Sequence, residues 1–361
     1  MVNENDFVNV SDLKKYTALS KTTEKQLEKI INIHPMRVTK YYFSLINWTD
    51  KKDPIRKMII PSVDELNTIG SYDTSGEAES TKLEGMQHKD LQTVLLLSTN
   101  QCSAYCRFCF RKRIVGVSNK EILNNFDEAI KYISKNKGIT NVLISGGDPL
   151  TLDTNILSLF LKKLSKIKHL KFIRIGSRIP VVLPSRIYSD KKLLAVLKKY
   201  STINKRIYIV THFNHPREIT KESKKAIDSL INSNVIINNQ TVLMKGVNDS
   251  PIILSDLMMK LTGIGVTPYY IFQCRPVSRV KHHFQLPLCK SQEIIRNTRK
   301  LLSGPAKRFK FIMSHETGKI EILGMDEKHI YFKYHQSRNP ENVGLFFKRK
   351  ISSTAGWLDD F

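Results

Sequence analysis

The sequence predicts an α/β fold in which six strand–helix units in series build an open, partial barrel. Three observations favour this fold: the chain has 361 residues, 41% of them are hydrophobic, and short apolar runs alternate with amphipathic runs along most of its length. Such alternation is typical of a parallel sheet with right-handed crossover connections. Six units suit an open barrel better than a closed barrel of eight strands.

Each of the six predicted strands is followed by a predicted helix. The strands are residues 93–99, 141–144, 172–175, 206–210, 235–237 and 269–272. The helices are residues 118–135, 154–167, 190–200, 221–232, 251–261 and 292–302. Ser118 and Glu121 form a capping box that should open the first of these helices, and Pro251 should begin the fifth.

The chain divides into three segments by composition and pattern. Residues 1–87 are a mixed N-terminal section with a helix at 22–33, and residues 88–304 carry the six units. The pattern changes at residues 304–305, a Gly-Pro pair, so we expect 305–361 to be a small, separate C-terminal appendage with two short strands. Residues 70–82, rich in Ser, Gly, Thr and Glu, are expected to be a loop or linker.

The balance of charge limits the classes of partner. The 58 basic and 33 acidic residues give a formal net charge of +25, which permits binding to nucleic acid. The lysines are scattered through amphipathic stretches, so a lysine-rich composition explains the charge at least as well, and we expect no nucleic-acid partner. No apolar run reaches the length of a membrane span, and the first residues do not resemble a signal peptide. We therefore expect a soluble, cytoplasmic protein without a membrane partner.

Polar or glycine-rich residues follow every predicted strand. In parallel α/β folds, ligands bind at the carboxyl ends of the strands, so these positions predict a site spread across the mouth of the barrel. Three cysteines follow the first strand. The other strands are followed by residues 145–148, 176–178, 211–212, 238–240 and 273–275.

Cys102, Cys106 and Cys109 have the spacing Cys-x3-Cys-x2-Cys on one short segment. Thiolates are soft ligands that suit iron–sulfur clusters or zinc. Three of them can hold three corners of a [4Fe–4S] cubane and leave the fourth iron open to another ligand. A structural zinc site would need a fourth ligand, and the nearest histidine, His88, lies at the wrong end of the strand. Unrelated buried cysteines are the remaining alternative.

The cysteine spacing resembles the radical S-adenosylmethionine (SAM) superfamily. Longer strings resemble its lysine 2,3-aminomutase family over residues 38–319: CRFCFRKR (106–113), LISGGDP (143–149), IRIGSRIPVVLP (173–184), THFNHP (211–216) and PYYIFQC (268–274). The resemblance implies a partial (β/α)6, TIM-like barrel. It also implies an isomerase that moves an amino group between the α and β carbons of an amino acid, with three cofactors: a [4Fe–4S] cluster, SAM and pyridoxal 5′-phosphate.

The resemblance also assigns residues to the SAM site. Gly146, Gly147 and Asp148 match the Gly-Gly-Glu/Asp element that contacts the methionine amino group; the simpler alternative is an ordinary Gly-Gly turn. His212 and Gln240 match positions that line the SAM pocket, although a lone histidine is more often structural.

Arg111 and Lys319 match residues that hold the amino acid and pyridoxal phosphate. Arg111 corresponds to the arginine that pairs with the substrate α-carboxylate; otherwise it belongs to a solvated basic run. Lys319 is the candidate for the Schiff base, after one glycine where the family has several; otherwise it is a surface lysine in a hairpin. The family's Tyr-Pro-Asp-Arg stretch, which helps to hold the phosphate, reads Asp-Leu-Gln-Thr at residues 90–93, although Lys89 is available.

The substrate prediction rests on a reversal of charge at Arg275. The resemblance implies that lysine enzymes carry an aspartate there to hold the substrate ammonium, and that a second aspartate corresponds to Ser314 or His315. A cation beside a cation is costly, so the sequence predicts an acidic or neutral substrate, with glutamate first. Alternatively, Arg275 pairs with an internal carboxylate such as Asp148 or Glu316.

The family's intersubunit zinc site lacks its cysteines in this sequence, because Ser250 follows Asp249 and no cysteine lies beyond Cys289. A homo-oligomer would have to form without zinc. The resemblance implies an electron donor such as flavodoxin or ferredoxin. Two other functions remain open: a radical SAM enzyme that modifies a residue of a protein or RNA partner, and a non-catalytic iron–sulfur protein.

Overall fold

A computed structural model describes residues 6–118 and 120–361, whose strands form one mixed sheet with a spatial order equal to the chain order. The strands are β1 (Thr81–Leu83), β2 (Met86–Asp90), β3 (Thr93–Thr99), β4 (Asn141–Gly146), β5 (Phe172–Gly176), β6 (Arg206–Thr211), β7 (Ile236–Leu243), β8 (Thr267–Gln273), β9 (Lys310–His315), β10 (Gly318–Met325), β11 (His329–Ser337) and β12 (Phe346–Lys350). The helices are α1 (Lys21–Ile33), α2 (Lys40–Phe43), α3 (Pro54–Ile59), α4 (Glu77–Ser80), α5 (Phe126–Lys135), α6 (Thr154–Ser165), α7 (Ile179–Val182), α8 (Ser185–Tyr188), α9 (Lys191–Tyr200), α10 (Lys221–Ile231), α11 (Pro251–Gly263), α12 (Lys281–Phe284) and α13 (Leu288–Lys300).

The six predicted parallel strands are β3 to β8, and each pairs in parallel with the next. β3 has the predicted bounds, whereas β7 is longer than predicted and ends at Leu243. A helix of at least ten residues follows each of these strands before the next strand of the sheet. The predicted α/β partial barrel is therefore confirmed.

The sheet continues beyond the six strands at both edges. β9 pairs in parallel with β8, with Phe311 opposite Ile271, and β10 to β12 follow in antiparallel pairing. At the other edge, β1 and β2 pair in antiparallel fashion with β3. The sheet thus does not break at residue 305, where we predicted a separate appendage. The division of the chain into three segments stays a prediction.

The predicted helix at 118–135 is wrong in its first half, because α5 begins only at Phe126. Ser118 does not cap a helix there; its Oγ accepts a hydrogen bond from the amide two residues later. Glu121 forms an ion pair with Arg113 at 2.8 Å, and the Leu123 amide donates to a carbonyl of β3 at 2.8 Å. These contacts hold the segment against the barrel, so tertiary contacts override the local capping pattern.

The side chains of β5 alternate between two environments. Ile173 and Ile175 are fully buried in the main hydrophobic core. Arg174 lies on the opposite face, because successive side chains of a strand point to opposite sides of the sheet. It is in register with Leu143 of β4 and Tyr208 of β6, so these three residues share one face.

The longest helices, α1, α11 and α13, have 13 residues each. A membrane span needs about 20 apolar residues. Across residues 6–118 and 120–361, no helix is long and apolar enough to cross a bilayer.

Candidate active site

The three predicted cluster ligands lie together on the loop that follows β3, and all three are free thiols. Burial, followed by the neighbouring Cys106 thiol, raises the pKa of Cys109 to about 11. Burial, followed by Asp148 and the other two thiols, raises the pKa of Cys102. Grouped thiols of this kind become ligands when a bound cation displaces their protons.

The donor chemistry fits an iron–sulfur cluster better than a single metal ion. In the described part of the chain, no group of three or more His, Cys, Asp or Glu side chains could hold one metal ion. A cubane spreads its thiolates over separate iron atoms, so its ligands need not converge on one point. The loop therefore offers soft ligands in an arrangement that a cluster can use.

The end of β4 supports the backbone of the cysteine loop. The Gly147 amide donates to the Thr99 carbonyl at 2.5 Å, and the Asp148 amide donates to the Gln101 carbonyl at 2.8 Å. A Cβ at Gly147 would lie 2.3 Å from the Gln101 carbonyl oxygen, and one at Gly146, where φ is +119°, would lie 2.3 Å from that of Thr99. Glycine is required at both positions because the loop lies directly on them.

The Asp148 carboxylate fastens a second loop beside the cysteines. It is buried and accepts hydrogen bonds from the backbone amides of Leu150 at 3.0 Å and Arg178 at 2.6 Å. Burial raises the pKa of Asp148, although the hydrogen bonds it accepts oppose that shift. Its observed role is to hold the end of β5, and its predicted contact with SAM stays a prediction.

Arg178 is a site residue to which the sequence analysis assigned no role. Its guanidinium donates to Cys106 Sγ at 2.8 Å, to Glu218 Oε1 at 2.6 Å and to the Tyr42 hydroxyl at 2.7 Å. It also lies over the ring of Phe108, 5.5 Å from the centroid. Its position after β5 indicated a site residue, but no sequence signal paired it with Glu218, 40 residues away.

His212 and Gln240, at the end of β6 and on β7, have unused hydrogen-bonding groups. His212 Nε2 is buried and has no hydrogen-bond partner in the described residues, and the ring packs edge-to-face on Phe108 at 5.5 Å. Burial, followed by the charge of Arg178, lowers the pKa of His212 to about 3, so the ring is neutral. The Gln240 side chain is half-buried and has no hydrogen bond within residues 6–118 and 120–361. Both side chains can therefore serve a ligand.

Arg111 and Arg275 lie around one aromatic ring. Their guanidinium carbons are 4.5 Å and 4.2 Å from the centroid of Phe110. Arg111 is buried and donates to Glu77 Oε1 and to Ser145 Oγ, both at 3.1 Å, so it does not belong to a solvated basic run. Glu77 lies in the segment that we expected to be a loop or linker, and no sequence pattern indicated its role.

Arg275 has no carboxylate at ion-pair distance among the described residues. It donates to Ser314 Oγ at 2.9 Å, so the two positions expected to carry aspartates in a lysine enzyme contact each other without any acid. Asp148 is bonded to backbone amides, and Glu316 does not pair with Arg275. Burial lowers the pKa of Arg275 to about 10, a shift that Glu77 opposes.

Lys319 lies near the start of β10, with its Nζ 5.5 Å from the centre of the Tyr270 ring. It has no hydrogen bond or ion pair within residues 6–118 and 120–361. Lys319 is half-buried, and burial, followed by the charge of Arg174, lowers the pKa of Lys319 to about 8. The preceding Gly318 is required because a Cβ there would lie 2.1 Å from the Gln336 carbonyl oxygen of β11.

The family model and the curated relatives that match this chain indicate the same family. A family model described as "Radical SAM superfamily" matches residues 96–255. A protein of Aquifex aeolicus with the provisional name L-lysine 2,3-aminomutase is 42% identical over 98% of this chain and 94% of its own length. The L-lysine 2,3-aminomutase of Clostridium subterminale is 41% identical over 82% of this chain and 70% of its own length.

Two further matches are an aminomutase with a different named substrate and a solved structure. The glutamate 2,3-aminomutase of Clostridioides difficile is 36% identical over 84% of this chain and 70% of its own length. Among solved structures, a mutant of spore photoproduct lyase covers 65% of this chain and 78% of its own, with a TM-score of 0.43 and 11% identity. The named 2,3-aminomutases are isomerases.

Proposed function

Because the chain belongs to the lysine 2,3-aminomutase family of the radical SAM superfamily, we propose that it moves an amino group between the α and β carbons of an amino acid whose side chain ends in a carboxylate. Glutamate is the first candidate. The family consists of isomerases, and radical SAM membership implies a [4Fe–4S] cluster and SAM. When bound, these groups supply the radical that takes a hydrogen from Cβ, while pyridoxal phosphate holds the migrating amino group.

The observation that carries this proposal is the partly buried guanidinium of Arg275, which has no carboxylate at ion-pair distance in the described residues; Glu77, whose charge reaches it, is ion-paired with Arg111 and Arg113. Burying an unpaired cation is costly, and a carboxylate of the substrate would supply the missing partner. A substrate ammonium at the same place would face like charge. The similarity to a glutamate 2,3-aminomutase supports the same substrate class.

The other site residues are proposed to bind the α-carboxylate of the substrate and the cofactors. Arg111, held by Glu77 and Ser145, and Arg275 both contact the Phe110 ring, so the two can hold the α- and side-chain carboxylates of one substrate. Lys319 is the attachment point for pyridoxal phosphate. The residues proposed to hold the cluster and SAM are Cys102, Cys106, Cys109, Gly146, Gly147, Asp148, His212 and Gln240. An electron donor such as flavodoxin or ferredoxin would reduce the cluster.

The test compares three amino acids with anaerobically reconstituted enzyme, SAM and dithionite. Glutamate and glutamine have nearly the same shape and differ in the charge of the side chain, whereas lysine carries the opposite charge. We expect kcat/KM for 2,3-migration to fall in the order glutamate, glutamine, lysine, with at least about a tenfold step from glutamate to lysine. A kcat/KM for lysine equal to or above that for glutamate would refute the proposed substrate class.

A further inference from the structure

One charged residue inside the barrel has no role in the site described so far. Arg174 is at the centre of β5, between Ile173 and Ile175 of the hydrophobic core. Across residues 6–118 and 120–361 it forms no hydrogen bond or ion pair, and its Nε is buried without an acceptor. Burial lowers the pKa of Arg174. Arg174 as a whole is half-buried, and a partly buried guanidinium without a partner is unfavourable unless a ligand supplies one.

The groups around Arg174 show where such a ligand would lie. Tyr269, Tyr270 and Asp90 are within electrostatic reach of its guanidinium, and Arg174 is within reach of Lys319. Asp90 is the acid of this group and forms no ion pair with Arg174. Arg174 and Lys319 are thus two neighbouring cations, with Lys319 Nζ 5.5 Å from the centre of the Tyr270 ring, and a dianion bound between them would relieve their repulsion.

We propose that Arg174 binds the phosphate of pyridoxal phosphate while the aldehyde carbon of the cofactor is held at Lys319. On the pyridine ring, the carbons that carry the aldehyde and the phosphate arm are neighbours, so a phosphate ligand must lie near the reactive lysine. Guanidinium is the side-chain group that best matches phosphate, through two parallel charged hydrogen bonds. This inference rests on the proposed use of pyridoxal phosphate at Lys319.

A competing role for Arg174, binding of the substrate carboxylate, is less well supported by its position. Arg111 and Arg275 already flank one ring, Phe110, and either can face a carboxylate there. Arg275 and Arg174 both lower the pKa of Lys319, but neither Arg111 nor Arg275 is among the charges that shift the pKa of Arg174, which are Tyr269, Tyr270 and Asp90. The two roles differ in a measurable way, because one requires the phosphate of the cofactor and the other does not.

The experiment titrates cofactor-free protein with pyridoxal phosphate and with pyridoxal, which has the aldehyde but no phosphate. Attachment is followed by the absorbance of the imine and by mass after borohydride reduction. We expect the wild type to bind pyridoxal phosphate much more tightly than pyridoxal. For Arg174→Met we expect at least about a tenfold loss of affinity for pyridoxal phosphate with little change for pyridoxal. The affinity of Arg174→Lys for pyridoxal phosphate should lie between those of the wild type and Arg174→Met, since lysine keeps the charge but not the paired donors.

Arg186→Met is the matched control, because Arg186 is in α8, forms an ion pair with Asp190 and is not among the charges that act on Arg174 or Lys319. It should leave both affinities unchanged. Inorganic phosphate should raise the melting temperature of the cofactor-free wild type more than that of Arg174→Met. If Arg174→Met still prefers pyridoxal phosphate over pyridoxal as strongly as the wild type does, the inference is wrong while the proposed function stands. If the wild type attaches neither aldehyde at Lys319, both fail.

Discussion

At the scale of single residues, the site is marked by cations that lack a counter-ion. Arg275, Arg174 and Lys319 are all basic groups whose pKa is lowered by burial, and none forms an ion pair in the described residues. The sequence identified Arg275 and Lys319 because each matches a position to which the family resemblance assigns a role. It assigned no role to Arg174, although this arginine stands in the family-like string at residues 173–184 and within an apolar strand.

Reversing the charge at Arg275 should reverse the preference for substrate. In Arg275→Asp, glutamate would face a carboxylate, and lysine would find the partner that the wild type lacks. We expect kcat/KM for glutamate to fall by about 10²-fold or more and that for lysine to rise, since like-charge contact costs several kcal/mol. The measurement is the ratio of kcat/KM for the two amino acids.

Arg275→Met serves as the control for this reversal, since it removes the charge without replacing it. It should lower activity on glutamate, chiefly through KM, without creating activity on lysine. An unchanged ratio of kcat/KM in Arg275→Asp would show that Arg275 does not contact the side chain of the substrate.

The pKa of Lys319 predicts the pH dependence of cofactor attachment. Attachment needs the neutral amine, and the folded protein lowers the pKa of Lys319 from 10.5 to about 8. The rate of reaction with pyridoxal should therefore rise with pH and level off above a midpoint near 8. Stopped-flow absorbance between about pH 6 and 10 measures it.

The lowered pKa of Lys319 also predicts how the stability of the protein changes with pH. Between about pH 8 and 10.5 the unfolded chain binds more protons at Lys319 than the folded protein does, so this lysine makes folding more favourable as the pH rises through that range.

The pH midpoint for the reaction of Lys319 with pyridoxal should be higher in Arg174→Met than in the wild type, because the variant lacks a positive charge near Lys319. A wild-type midpoint above about pH 10, near the ordinary value for lysine, would contradict a buried lysine with a lowered pKa.

At the scale of elements, the cysteine loop depends on the strand beside it. The Cys-x3-Cys-x2-Cys spacing indicated the ligands and the Gly-Gly-Asp string indicated the end of β4, but neither showed that the two backbones are in direct contact. The start of α5 was mispredicted for a related reason. Contacts of Glu121 with Arg113 and of Leu123 with β3 depend on the folded chain, and a local capping pattern carries no information about them.

Gly147→Ala should disrupt the cysteine loop. The added Cβ would lie 2.3 Å from the Gln101 carbonyl oxygen, so the loop would have to move away from β4. We expect the iron content after reconstitution to fall by at least half, measured by iron analysis and by the cluster absorbance.

Gly176→Ala is the control, at the end of the neighbouring strand β5. The nearest atom to a Cβ there would be 3.7 Å away, an ordinary contact. Full iron content is expected in this variant. Normal iron content in Gly147→Ala would mean that the end of β4 does not position the cluster ligands.

At the scale of the whole molecule, the N-terminal section is fastened to the cysteine loop by a buried group of charges. Glu65 accepts from Arg107 at 2.7 Å and from Lys112 at 2.5 Å, and all three side chains are buried. Burial alone would raise the pKa of Glu65, but these two cations hold it at about 2. Periodicity in the sequence predicted the barrel but not this connection, since ion pairs between distant segments leave no periodic pattern.

Glu65→Gln should destabilise the cofactor-free protein by about 3–5 kcal/mol, because it leaves two buried cations without their acid. The free energy of unfolding in denaturant measures this loss. Wild-type stability from Glu65 is fully present above pH 4.5 and is lost as the pH falls toward about 2, and the variant should lack that component. Equal stability of the two proteins at neutral pH would show that the group does not fasten the section.

The most direct test of the proposed reaction follows a hydrogen atom. Reconstituted enzyme is incubated with SAM, dithionite and glutamate that carries deuterium on Cβ, and SAM and the amino-acid product are analysed by mass spectrometry; deuterated lysine is tested in parallel. Because an isomerase returns the hydrogen to its product and regenerates SAM, we predict that deuterium from glutamate enters SAM and the β-amino acid and that lysine transfers little. SAM that gains no deuterium, or transfer from lysine rather than glutamate, would contradict the account.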